Sequence, residues 1–124
     1  MLKLTFCLRR RPGLSRAEFQ RYWRENHGPL MRKNMAAMGV RRYAQQRTLD
    51  GETADFIANS RGGPEPFDGV AEAWWDDMAA FEAATGSADG RAAGKEMYKD
   101  ELNFIDLANS PCFLTEEQFV AEDD

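Results

Sequence analysis

The chain has 124 residues, 43% of them hydrophobic and 30% charged, which describes one ordinary globular domain and excludes disordered, fibrous and two-core architectures. With 16 basic and 21 acidic residues the net charge is −5, so neither nucleic acid nor a membrane is an expected partner. No apolar run approaches the roughly 20 residues needed to cross a bilayer.

In chain order, Leu2, Leu4, Phe6 and Leu8 alternate with Lys3, Thr5, Cys7 and Arg9, the period of a strand with one face against a core. The charges of MLKLTFCLRRR follow its apolar part, so a secretory leader is not expected. Arg9, Arg10 and Arg11 read as a solvated strand end or ion-pair partners, and Pro12 and Gly13 as a turn. Ser15 and Glu18 then form a capping box, with Leu14 and Phe19 spaced as a hydrophobic staple. A helix begins there. Phe19, Trp23 and His27 follow at four-residue steps on one stripe, with Tyr22 and Leu30 beside them. Gly28 and Pro29 are expected to break or kink the helix, leaving His27, the only histidine, where carbonyls are freed. The helix resumes over 30–38, and Gly39 suits a left-handed cap.

Residues 40–49 read as a second strand, polar on both faces, which suits a sheet edge or the lining of a polar cavity. The stretch 50–66 holds Gly51, Gly62, Gly63, Pro64 and Pro66 and reads as a mobile loop, either a lid or an insertion. After a turn at Asp68 and Gly69, a third strand runs to Trp75. Small Ala71 and Ala73 would admit helices on their face and leave Val70, Glu72 and Trp74 on the opposite, cavity face; periodicity also admits the reverse. Asp76 or Asp77 caps a short helix ended by Gly86. A second helix is expected over 92–107 with Met97, Tyr98, Leu102 and Ile105 inward, then a strand over 111–115 and an acidic tail over 116–124. Cys7 and Cys112 lie far apart and in no metal-ligand spacing, which points to small buried thiols in a reducing, cytoplasmic setting.

Phe19, Trp23 and His27 followed by Gly28, Pro29 and Leu30 resemble the helix motif of the EthD family, part of the dimeric α+β barrel superfamily. FDGVAEAWW, residues 67–75, resembles that family's third strand, and KDELNFID, residues 99–106, the acidic and aromatic end of its last helix. The resemblance implies an α+β, ferredoxin-like βαββαβ domain with a four-stranded antiparallel sheet and two helices on one face. It also implies a homodimer whose open sheet faces close a barrel, with a pocket between sheet and helix near His27. An uncovered sheet face calls for a partner on physical grounds too. No single reaction is implied, because members are linked to ether degradation, lactone isomerisation, polyketide ring chemistry and oxidation.

A positioned imidazole can take or give a proton near neutrality, so His27 is the first catalytic candidate; its other reading is a core histidine that closes its helix. In the resembling lactone isomerases the matching position is catalytic, together with a cysteine and a second histidine that this chain cannot supply. Tyr43 is a candidate donor or relay, and Glu72 a candidate acid or base if it faces an apolar cavity that raises its pKa. Phe19, Trp23 and Trp74 are candidates for a substrate wall, and Asp100 and Glu101 match the family's acidic pair. The chain has no GxGxxG, phosphate loop, GxSxG or second histidine, so no dinucleotide, nucleotide or multi-histidine metal chemistry is expected. The expectation is a cofactor-free homodimeric enzyme, isomerase, lyase or oxidoreductase, acting on a small hydrophobic oxygenated compound by proton transfer at His27. Its rivals are a non-catalytic ligand-binding or stress-related dimer, and a haem-binding barrel with His27 as axial ligand.

Overall fold

The alternating residues at the start form β1 (Leu2–Leu8) in a computed structural model that describes residues 1–124. β1 pairs antiparallel with β3 (Gly69–Trp75) and β4 (Cys112–Glu116), and β3 pairs antiparallel with β2 (Arg42–Arg47). The resulting order β2-β3-β1-β4 is that of a four-stranded ferredoxin-like sheet. The polar second strand is an edge. Helices α1 (Arg16–Tyr22) and α2 (Gly28–Met38) fall between β1 and β2; α4 (Met78–Gly86) and α5 (Ala88–Glu101) fall between β3 and β4.

Register resolves the two faces. Leu4 lies opposite Ala73 and Leu114, and Phe6 opposite Ala71 and Cys112, so these share one face with Trp75 and Tyr43. The helices cover this face, whose small Ala71 and Ala73 let them approach. Thr5 lies opposite Glu72 and Phe113, and Lys3 opposite Trp74, which puts Glu72 and Trp74 on the uncovered face. Under the helices, Met31, Met38, Val40, Trp75 and Met97 form one buried cluster, and Leu8, Phe19, Trp23, Phe104 and Ile105 a second.

The expected break at Gly28 and Pro29 does not occur. The chain stays helical from α1 to α2 through one π-helical turn, Trp23–His27, whose wider hydrogen bonds run from each N–H to the carbonyl five residues back. Gly28 N–H reaches Trp23 O in this way, with helical angles of −56° and −54°. The missing N–H of Pro29 is thereby absorbed without interrupting the helix.

The stretch read as a mobile loop contains a helix, α3 (Glu52–Asn59), capped by Gly51 and carrying Glu52 and Asp55 in its first turn. Acidic side chains favour a helix start, and the flanking glycines and prolines end it rather than prevent it. α5 begins four residues earlier than expected, because the Ser87 hydroxyl accepts from Gly90 N–H at 3.0 Å, and it ends at Glu101. Of the positions expected inward, Met97 and Ile105 are buried, whereas Tyr98, inside α5, and Leu102, just past its end, are about half exposed. Cys7 is half-buried and Cys112 exposed; both are free, and register puts them on opposite faces of the sheet. No helix is long and apolar enough to cross a membrane.

The basic run has structural partners. Arg10 pairs with Asp68 at 2.6 Å, Arg16 pairs with the same oxygen at 2.9 Å, and Arg10 N–H donates to the other carboxylate oxygen at 2.8 Å. Asp68 is 3% exposed and so ties the end of β1 and the start of α1 to the start of β3. Burial opposes its charge, but these donors outweigh that and hold its carboxyl below the usual range.

Candidate functional site

The capping box observed at Ser15 and Glu18 fixes where α1 starts, and the π turn fixes which way its far end faces. Five residues separate Tyr22 from His27, a spacing that an α-helix would place on different faces. The wider turn brings both to one carboxylate on α5. Tyr22 Oη donates to Asp100 Oδ1 at 2.6 Å, and His27 Nδ1 lies 2.8 Å from Asp100 Oδ2. Asn103 Nδ2 adds contacts of 3.2 Å to Tyr22 Oη and 3.3 Å to Asp100 Oδ1. Beneath them Phe104, fully buried, packs its ring 4.9 Å from Tyr22 and 5.0 Å from His27.

His27 is 6% exposed, and burial pushes its pKa below the ordinary value while Asp100 partly restores it. The Asp100 carboxyl is pulled two ways. Burial raises it, but hydrogen bonds from Tyr22, His27 and Asn103 hold it below the carboxylate range. An ionised carboxylate only accepts, so Nδ1 of a neutral His27 carries the hydrogen and Nε2 is left as the basic atom.

His27 borders a pocket of about 490 Å³ between the sheet and the helices, a volume within the usual range for small-molecule sites. Thirteen of its 18 lining residues are hydrophobic, among them Leu4, Phe6, Met31, Ala71 and Met97, and none is lysine or arginine. Its polar residues are His27, Tyr43 from β2, Glu72 from β3, Glu101 from α5, and Tyr98, Ser110 and Cys112. Tyr43 Oη accepts from Gln45 Nε2 at 3.1 Å, while the same amide donates to Trp23 O in the π turn at 3.0 Å. Burial raises the Tyr43 pKa, so it stays a neutral donor. Trp23 Nε1 is a buried donor with no hydrogen-bond partner. Burial, with Asp100 next in the chain, pushes the Glu101 carboxyl up to about 7.

Of the residues singled out in sequence, the structure brings His27, Tyr43 and Glu101 to one pocket and puts Asp100 behind His27. Trp74 is not brought there, and Glu72 borders the pocket on β3 without turning its carboxylate into it. The Glu72 side chain points from the other face, 2.5 Å from Lys3 Nζ and 3.0 Å from Gln46 Nε2, which hold its carboxyl below rather than above the usual range. Trp74 stacks under the Arg42 guanidinium at 4.6 Å on that same face. Phe19 and Trp23, 0% and 1% exposed, are core residues and do not line the pocket. Sequence reasoning missed Phe104 and the role of Tyr22; the proline after His27 was the one local signal for the altered turn. A second, larger depression of about 1080 Å³ lies between α3 and Arg16, polar and open, away from this cluster. No group of three His, Cys, Asp or Glu side chains is placed to hold a metal ion.

The sequence profile of the EthD domain matches residues 11–108, a span that holds the His27 turn, β2, β3 and the Asp100–Glu101 helix end. The chain belongs to the EthD family. Among solved structures, an ethyl tert-butyl ether D (EthD) family protein of Bacillus halodurans is 24% identical and has a TM-score of 0.61, over 95% of this chain and 99% of that one. An EthD-like protein of Ralstonia eutropha is 19% identical with a TM-score of 0.61, over 93% and 89% of the two chains. A dimeric ferredoxin-like protein of unknown function from Thermobifida fusca is 16% identical with a TM-score of 0.55, over 92% and 88%. At these identities the likeness is one of fold. No curated protein matches the chain.

Proposed function

We propose that this EthD-family chain is a cofactor-independent homodimeric enzyme in which His27 Nε2 moves a proton on a small, uncharged, oxygenated and largely apolar compound. The observation that carries this reading is the 2.8 Å contact between His27 Nδ1 and Asp100 in a ring that borders the apolar pocket. A neutral imidazole held in one tautomer by a carboxylate is a general base ready to act at neutral pH. Removal of a C–H proton beside a carbonyl gives an enolate or, with a proton delivered to oxygen, an enol, and return of a proton elsewhere isomerises the compound, closes a ring or expels water. The same carbanion offers an oxidative outcome by direct reaction with oxygen.

The walls bear on the substrate class. A carboxylate or phosphate ligand would find no lysine or arginine in the lining, whereas an uncharged ring system finds thirteen hydrophobic residues. The same lack of cations disfavours a haem, whose two propionates would go unpaired. Homodimerisation is supported by the uncovered sheet face, where Trp74 lies and Phe113 is 47% exposed, and by the dimeric Thermobifida fusca relative of the same fold.

A screen of enolisable carbonyl compounds, followed by His27→Gln on the compound turned over, tests the reading. The variant is expected to keep its circular dichroism spectrum and lose turnover by about 10²–10⁴-fold. Unchanged turnover in a folded variant would remove His27 from the chemistry. Binding without turnover by the wild type would favour the non-catalytic ligand-binding reading.

A further inference from the structure

The carboxyl group of Glu101 has no explained role in the fold. It belongs to the last turn of α5, where unpaired carbonyls make a negative charge unfavourable, and it follows directly on the ionised Asp100. It is partly buried and lines the apolar pocket, yet its side chain makes no hydrogen bond and no ion pair, unlike Asp100, Glu72, Glu96 and Asp68. Each of these features disfavours the ionised form. An acid kept there against its solvation is a local violation of the rules that the rest of α5 obeys, and such violations mark functional groups.

We propose that Glu101 is the catalytic acid of the pocket, delivering its proton to the substrate oxygen while His27 Nε2 takes one from carbon. This rests on the His27 reading above and deepens it. In the step, the C–H bond beside the carbonyl breaks, its electron pair becomes the carbon–carbon double bond, and the former carbonyl π pair takes the Glu101 hydrogen. The product is a neutral enol, the imidazole becomes imidazolium, and Glu101 becomes carboxylate. Return of both protons, to the same carbon or to another, restores the enzyme. No oxidant or reductant is consumed. A neutral enol is the intermediate that an apolar cavity without cations tolerates, since a free enolate there would have no partner.

The two groups have environments that divide the work. His27, buried but bonded to Asp100, is neutral and basic; Glu101, partly buried and unbonded, is neutral and acidic until about pH 7. The other titratable groups on the wall are Tyr43 from β2, Glu72 from β3, whose carboxyl is held low by Lys3 on the far face of the sheet, Cys112 from β4 and Tyr98 on α5 itself. Burial raises Tyr43, and Cys112, exposed as a residue, is raised to about 11 by partial loss of water around its thiol and by Glu101, so both remain uncharged through the working range. Activity therefore rises as His27 loses its proton below its ordinary value of 6.5 and falls as Glu101 ionises through about 7.

The experiment uses 2-tetralone, an uncharged bicyclic ketone, as probe, and follows deuterium entry at its C1 position by NMR in deuterated buffer. Wild-type protein is expected to accelerate exchange over buffer. Glu101→Gln should lower kcat by about 10²-fold with little change in KM and lose the decline above pH 7; Glu101→Asp should recover part of the rate. A carbon-13 titration of labelled glutamates gives a readout that needs no ligand, with one carboxyl expected to titrate near 7 and to vanish in Glu101→Gln. If no glutamate titrates above the ordinary carboxylate range, or if Glu101→Gln exchanges as fast as wild type, the inference falls while the His27 reading stands. If wild-type protein does not accelerate exchange, or His27→Gln exchanges as well as wild type, both fall.

Discussion

Asp100 accepts from Tyr22 and from His27 at once, and that double bond is what separates an ordinary buried histidine from an oriented one. Replacing Asp100 with asparagine keeps the shape and removes the charge. The amide can donate to Nδ1 as well as accept from it, so the hydrogen is free to move to Nε2 and the basic atom is lost for part of the time. Because Asp100 is what raises the His27 pKa against burial, that pKa should fall further in Asp100→Asn. Turnover should drop by about 10²-fold or more, and nitrogen-15 NMR of the imidazole should report the mixed tautomer. A variant with the wild-type tautomer and rate would mean that Asp100 serves packing alone. At this scale the residue types were legible: a lone histidine after an aromatic stripe, a strand tyrosine and an acidic pair all stood out in sequence. Tyr22 was legible only as a neighbour of the stripe, because its role depends on a turn that adds one residue to the helical repeat.

The π turn shows why elements were easier to locate than to phase. Ser15, Glu18 and Gly39 marked the ends of the α1–α2 segment correctly, with Gly39 in the left-handed region at a φ of +72°. Gly28 and Pro29 suggested a break, but Trp23 O accepts both the Gly28 N–H and the Gln45 amide, and this tertiary bond supports the wider turn. Trp23 is also locked from below by Gly69, where a methyl group would overlap the indole ring and lie 3.0 Å from Gln46 O. Gly69→Ala is therefore an element-level test. Neither the strand start nor the indole has room to move, so the change is expected to destabilise the fold by about 1–3 kcal/mol, measured by urea unfolding. A neutral outcome would show that the turn tolerates a shift of Trp23. The helix α3 was missed for the opposite reason, since its flanking glycines and prolines outweighed eight residues of modest helical pattern.

For the whole molecule, the proposed dimer gives the uncovered sheet face a function. Thr5, Val70, Trp74 and Phe113 lie there beside Lys3, Glu72, Arg42 and Gln46, a mixture that is acceptable at an interface and poor as a domain core. Phe113→Lys adds a charge near the middle of β4 on this face without touching the pocket side of the sheet. It should weaken association by about 2 kcal/mol or more and yield a folded monomer in sedimentation velocity. A variant that remains dimeric would place the interface elsewhere, for instance on the exposed Phe56 and Ile57 of α3.

Sequence by itself determined the four strands, the helices between them other than α3, and their order: residue patterning marked the strands, capping chemistry set the starts of α1 and α4, and the EthD motif implied the ferredoxin-like arrangement. Asp100 and Glu101 show where that ended. They are adjacent residues of the same type on one helix turn, about 100° apart around its axis, and nothing local distinguishes them. Only the packing of the π turn against α5 decided that Asp100 meets His27 and is held ionised, while Glu101 faces the apolar cavity unpartnered and keeps its proton to about pH 7. Partners and burial, the two quantities that set a carboxyl's chemistry, are properties of the assembled structure and not of the residue.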